Sequence, residues 1–345
     1  MFHNSLISIS NLQIQKDPGV IVGPVTSVLR PILDTTFNMV SSTGGLAFGL
    51  AIILFTFLVR ILMIPLAMKQ FKSMAKMQAL QPEMEKIKNK YGNKKDPEVQ
   101  QKMNAEIQTL YATHKVNPLT GCLPLLVQLP IFIALNHMTQ HSYKFVSHIG
   151  RMYEELGSKT LEIMRDVPGF SEALFPLVFP KVPNGMAIDY SQLTDLLKVF
   201  NTFRIEDWNN FLAIVPAEFQ ADFIEMLTRK DDLEHFFGIN LVENSGYVLP
   251  GVIIPILCAV TSFLTTYLMN KKSTLTGPQA EMQRKMLLYV MPPLMGWFTI
   301  SFPAGVGLYW ISSSVFQIFQ QLYINSLKPT ALPVNDGIVD LQKKK

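Results

Sequence analysis

The longest constraint in the chain is a run of 42 residues, 286–327, without a single Asp, Glu, Lys or Arg. As one helix it would be about 63 Å long, roughly twice the hydrocarbon thickness of a bilayer. Phe302-Pro303-Ala304-Gly305 interrupts it, so the run reads as two membrane spans joined by a tight turn. Three more apolar stretches are long enough to cross, and the five spans are placed at 44–68, 119–145, 247–269, 286–302 and 304–325. Charged residues make up only 16% of the chain, against about 25% in soluble domains. The fold class that follows is an all-α polytopic membrane protein.

The segments between the spans set the orientation. Residues 69–118 carry ten Lys/Arg and five Asp/Glu, and 270–285 carry four and one. Residues 146–246 carry eight Lys/Arg against sixteen Asp/Glu. Short basic segments stay in the cytoplasm, so the N-terminus is expected outside and the 326–345 tail inside, in a cell membrane. Residues 1–43 read as an outer segment with an amphipathic helix over 20–40, and 146–246 as an outer loop with a small helical insertion.

Residues 69–118 read as a helical hairpin. Met77, Leu80, Met84, Ile87 and Tyr91 are spaced 3, 4, 3 and 4 apart, the apolar seam of one helix. Gly92 to Pro97 is a turn, and Val99, Met103, Ile107 and Leu110 form the seam of a second helix.

One charge lies deep within a span. Arg60 lies within GLAFGLAIILFTFLVRILMIPLAM, nine residues before Lys69, hence about 13 Å from the water boundary. An arginine at such depth costs about 2.5–3.5 kcal/mol on insertion scales. No span contains an Asp or Glu to neutralise it. Thr56 and Arg60 share a helix face, as do Ser313, Gln317 and Gln320; Gln128 and Trp310 lie in spans two and five. A water-filled groove lined by Thr56, Arg60, Gln128 and polar groups of span five is the simplest solution.

Chemistry of other kinds finds no support. Cys122 and Cys258 fall in spans and read as packing residues. His137 and His141 have a ligand-like spacing of four, but no Cys, Asp or Glu stands near them in sequence. No phosphate loop, nucleophile elbow or HExxH motif is present. The sequence therefore points to neither an enzyme nor a cofactor. A secondary transporter or channel would also want a wet intramembrane cavity, yet the spans show no internal repeat and no acid for ion coupling.

Three motifs carry a resemblance: LVRILMIPLAMKQ, NPLTGCLPLLVQLPIFIAL, and FPAGVGLYWISSSVFQIFQQ. Together they closely resemble the YidC/Oxa/Alb family of membrane protein insertases, in its five-span form, over about 44–145 and 247–325. The resemblance implies five helices enclosing a hydrophilic groove that holds Arg60. It also implies a role as insertase and chaperone for nascent membrane proteins, without nucleotide, alone or with the Sec translocon, and with the ribosome as a further partner. A monomer and no small-molecule substrate are expected. The hairpin would meet substrate first, through Met74, Met77, Met84, Lys86, Lys94 and Lys95. In span three, Thr265 and Thr266 stand near a glutamine of some relatives, so no groove-lining role is assigned to that helix.

Overall fold

Apolar periodicity and proline positions account for several of the helix boundaries. The computed structural model describes residues 22–92, 96–116, 123–182, 189–270 and 278–326. These residues fall in two compact units.

The first unit comprises 22–55, 130–253 and 299–308 of the described residues. Helix α1 (Val22–Val40) is the expected amphipathic helix. It buries Thr26, Leu29, Leu33, Thr36 and Phe37, at the 3–4 spacing of one face. A 3₁₀ segment, Ser41–Leu46, turns at Gly44 with φ 60° and leads into α2 (Ala47–Leu62). Helix α6 (Leu123–Gln140) and the one-turn α7 (Ser142–Phe145) precede the 146–246 insertion.

The insertion is helical, as expected: α8 (Ser147–Asp166), α9 (Phe170–Val178), α10 (Leu193–Phe200), α11 (Ile205–Ile214) and α12 (Ala217–Glu234). Asp34 of α1 caps α8, accepting hydrogen bonds from the Ser147 amide and hydroxyl, both at 2.8 Å. A carboxylate there satisfies an orphan N–H and faces the positive end of the helix dipole. Gly157 lets Leu193 and Leu197 lie directly on α8; a Cβ would meet them at 2.6 and 2.8 Å. Phe200, Phe203, Trp208, Phe211 and Phe223 form an aromatic core with neighbouring ring centroids 5.0–5.8 Å apart.

A buried polar knot sits against this core. Tyr153 donates to Glu234 at 3.1 Å, and Lys230 pairs with the other carboxylate oxygen at 2.7 Å. The Lys230 ammonium also lies over the rings of Trp208 and Tyr153. Burial, and secondarily Glu234, push the Tyr153 hydroxyl well above its ordinary pKa, so it stays a donor. Glu234→Ala would strip a half-buried lysine and a buried tyrosine of their shared acceptor. The expected loss is about 3 kcal/mol, read as a lowered Tm of the purified protein in detergent. Glu234→Gln, which keeps the tyrosine bond, should lose less.

One element departs from the all-helical expectation. His235–Phe236 and Ile239–Asn240 form a two-stranded antiparallel hairpin. Phe237 (φ 49°) and Gly238 (φ 76°) make its turn, the left-handed pair that suits a tight hairpin. The Phe236 ring rests where a side chain on Gly49 would otherwise project. The following residues satisfy the start of α16 (Ala304–Ser326): Ala304 N–H donates to Glu243 O and Gly305 N–H to Leu241 O, each at 2.8 Å. Helix α13 covers Ile253–Asn270, beginning six residues after the 247 start expected for span three. Pro250 and Gly251 precede it, and Tyr247, Val248 and Leu249 are exposed.

The second unit comprises 56–129, 254–298 and residues from 309 on. Here the helix expected to end at 68 runs instead to Leu62, and α3 (Ile64–Ala79) begins beyond Met63. Pro65 explains the break, since it has no N–H for the carbonyl four residues back. The single seam expected from Met77 to Tyr91 is also divided. Pro82 starts a new helix, α4 (Gln81–Tyr91), so Met77 belongs to α3. The antiparallel hairpin itself is present: α4 packs on α5 (Pro97–Thr113), whose first turn is capped by Asp96. Lys90 bridges to Glu106 at 2.9 Å, and the Tyr111 hydroxyl contacts the Met84 sulfur at 2.8 Å.

The region expected to form span four is a composite of helical segments. Helix α14 (Pro278–Lys285) passes through a π turn, Met286–Val290, into α15 (Met291–Thr299). Pro292 and Pro293 cannot bond the carbonyls of Leu288 and Tyr289, and the ladder shifts: Met291 N–H donates to Met286 O, five residues back. Among the described residues, two helical stretches are both long and apolar enough to cross a bilayer, 22–62 and Ile253–Asn270, with a shorter apolar one at Met286–Thr299. Helix α16 has 23 residues without a charge, about 35 Å at the α-helical rise.

Candidate substrate cavity around Arg60

Arg60 lies in the last turn of α2, three residues before the break at Met63. Its Nη2 donates to Gln128 Oε1 of α6 at 3.0 Å and to Ser313 Oγ of α16. Gln128 in turn donates from Nε2 to the Tyr309 hydroxyl at 2.5 Å. Gln317, one turn beyond Ser313, donates to the same Ser313 oxygen at 3.4 Å. Thr265 of α13 reaches the Ser314 carbonyl at 3.4 Å and ties the two helices together.

These side chains border a cavity of about 320 Å³. Its polar lining comes from Arg60, Gln70, Gln128, Ser262, Thr265, Thr266, Ser313, Ser314 and Gln317. The apolar lining includes Trp310 and four methionines, Met63, Met269, Met291 and Met295. No lining residue is acidic, and Arg60 makes no ion pair among the described residues. The guanidinium is thus held by neutral acceptors, which orient it without cancelling its charge. The thioethers in the lining are flexible and polarisable, and adapt to apolar shapes of many kinds.

The sequence assigned seven residues to this site. Arg60, Gln128, Trp310, Ser313 and Gln317 line the cavity together. Thr56 does not: it is fully buried one turn away. Gln320 is half-buried and also lies off the lining. Span three, to which no groove-lining role was given, contributes Ser262, Thr265, Thr266 and Met269. Gln70 and Met63 were equally unassigned; Met63 stands at the break between α2 and α3, and Gln70 lies within α3.

Among the hairpin residues, Met84 is held between the helices by Tyr111, Met77 is half-buried and Lys86 is exposed. The Met74 side chain, Lys94 and Lys95 lie outside the described residues, as does Cys122. Cys258 is buried on α13. His137 and His141 stack on one another at 4.5 Å. Among the described residues no three His, Cys, Asp or Glu side chains gather as metal ligands.

Sequence comparison identifies the family of the chain. The model of the family described as 60Kd inner membrane protein matches residues 39–331. Membrane protein insertase YidC of Oceanobacillus iheyensis is 29% identical over 312 residues, covering 88% of this chain and 87% of the relative. Membrane protein insertase YidC 1 of Lactococcus lactis is 31% identical, covering 82% and 70%. Membrane protein insertase MisCA of Bacillus subtilis is 27% identical, covering 86% and 77%. The chain is similar to each of these over most of both lengths, and it belongs to the YidC/Oxa/Alb family of membrane proteins.

Proposed function

We propose that this protein is a membrane protein insertase and chaperone, and that the Arg60 cavity receives the polar segment of a nascent chain on its way across the bilayer. One observation carries the reading: a positive charge fixed by neutral partners, in a cavity without an acidic wall. Such a charge attracts a carboxylate that is otherwise costly to move into a low-dielectric medium. The polar lining replaces part of the water that the segment gives up, which lowers the barrier. Burial of the substrate's apolar helix in lipid supplies the driving force, at about 0.8 kcal/mol per CH₂, and no nucleotide is required.

In this reading α2, α6, α13, the composite α14–α15 and α16 are the five membrane-crossing segments. The N-terminus and the 146–246 insertion lie outside, and the α4–α5 hairpin and the tail lie in the cytoplasm, consistent with the charge of the connecting segments. The hairpin makes first contact with the substrate and the translating ribosome, and the protein acts as a monomer, alone or beside the Sec translocon.

The test is a photocrosslinker placed at position 317, on the cavity, against one at the exposed position 319. A stalled nascent chain of a single-span substrate should crosslink strongly at 317 and weakly at 319. Equal labelling at both positions would count against the cavity as the route.

A further inference from the structure

We propose that Tyr309 is a positioning residue of the cavity, which through the Gln128 amide fixes the direction in which Arg60 presents its charge. The inference rests on the insertase reading and names a residue that does not itself touch the substrate. Tyr309 is 1% exposed and is not part of the cavity lining. Its hydroxyl meets the Gln128 side chain on the side away from Arg60's bond.

The logic is that of a chain with one consistent polarity. Arg60 has only donors, so Gln128 must turn its carbonyl oxygen toward it. That leaves the Gln128 NH₂ needing an acceptor away from the guanidinium, and the Tyr309 hydroxyl supplies it at 2.5 Å. With Oε1 and Nε2 both engaged, the amide has one orientation. Nη2 of Arg60 is then held by Gln128 and Ser313. The N–H groups on Nε and Nη1 make no hydrogen bond among the described residues and remain for an incoming carboxylate.

Removing the tyrosine oxygen leaves a buried NH₂ without its partner. The Gln128 side chain then gains by flipping or swinging aside, and an amide that presents N–H to Arg60 repels it. The guanidinium loses its fixed aim while its charge persists. Tyr309 thus affects how well acidic segments are distinguished from neutral ones.

The measurement is a selectivity ratio in reconstituted vesicles. Two single-span substrates are compared that differ only in having acidic or neutral residues in the outer segment. Tyr309→Phe, which keeps the buried ring, should lower the acidic-to-neutral ratio of insertion rates about tenfold, the equivalent of one buried hydrogen bond. In a Gln128→Leu background the same substitution should lower it no further. A ratio unchanged by Tyr309→Phe, whether both rates persist or both fall, overturns the proposal, as do additive losses in the double variant. Should Tyr309→Phe fail to accumulate, Gln128→Leu alone reads the same link, and an unchanged ratio there is equally decisive. Arg60→Ala separates the two readings. If it leaves the ratio intact, the charged-cavity mechanism fails. If it lowers the ratio and Tyr309→Phe does not, only the positioning role fails.

Discussion

Arg60→Ala is expected to slow insertion of a single-span substrate with an acidic outer segment by about 30-fold, the scale of one lost charge-assisted hydrogen bond. Protease protection of the inserted segment in vesicles measures it. Alanine removes the only charge in the cavity lining. It also leaves Gln128 Oε1 and Ser313 Oγ without the donor that both now share. Arg60→Lys should retain insertion within about threefold, because an ammonium keeps the charge and has three rotatable donors for the two acceptors. A substrate without acidic residues should respond little to either change. Full insertion of the acidic substrate by the alanine variant would remove the charged-cavity mechanism.

The part of this site that sequence made visible is the part set by helical spacing and by the oddness of polar groups in apolar runs. Arg60, Gln128, Ser313 and Gln317 stood out on that basis, and they meet in one cavity. Spacing fixes the azimuth of a side chain on its own helix, but not its depth along the axis. Thr56 and Gln320 share faces with true lining residues and still lie a turn beyond the cavity. Tyr309 escaped notice because, between leucine and tryptophan, it looks like one more apolar packing residue. The partner that makes it polar comes from a helix 181 residues away in sequence. The methionine wall was invisible for the same reason: thioethers on α3's approach, α13 and α15 become a surface only once three helices face each other.

Proline shows a different limit. Pro65, Pro82, Pro292 and Pro293 could all be read in the sequence as places where a backbone bond is missing. Which remedy the chain adopts at each was not legible. At Pro65 and Pro82 the helix breaks and restarts, while at the double proline it shifts to a π turn and continues. The choice depends on what packs alongside, which is a tertiary property.

Gly296→Leu is expected to lower the Tm of the purified protein by several degrees and to cut insertion of all substrates alike. A Cβ at this position would stand 2.7 Å from the Pro255 carbonyl oxygen and 3.0 Å from the Ala259 methyl. The first is backbone within α13 and cannot rotate away, so the added side chain must push α15 off α13. Overpacking of this kind costs about 1–3 kcal/mol, and small residues at helix crossings are how apolar helices approach closely in lipid. The two helices also supply most of one wall of the cavity, through Ser262, Thr265, Thr266, Met269, Met291 and Met295. Separating them widens the cavity without touching Arg60. The acidic-to-neutral selectivity ratio should therefore hold while both rates fall, the reverse of the pattern expected for Arg60→Ala. Gly296→Ala should show the same defect in milder form, and Ala259→Gly should partly rescue it by relieving the 3.0 Å contact while leaving the carbonyl clash. If Gly296→Leu keeps its Tm and both insertion rates, the close crossing of α13 and α15 is not what holds this wall in place.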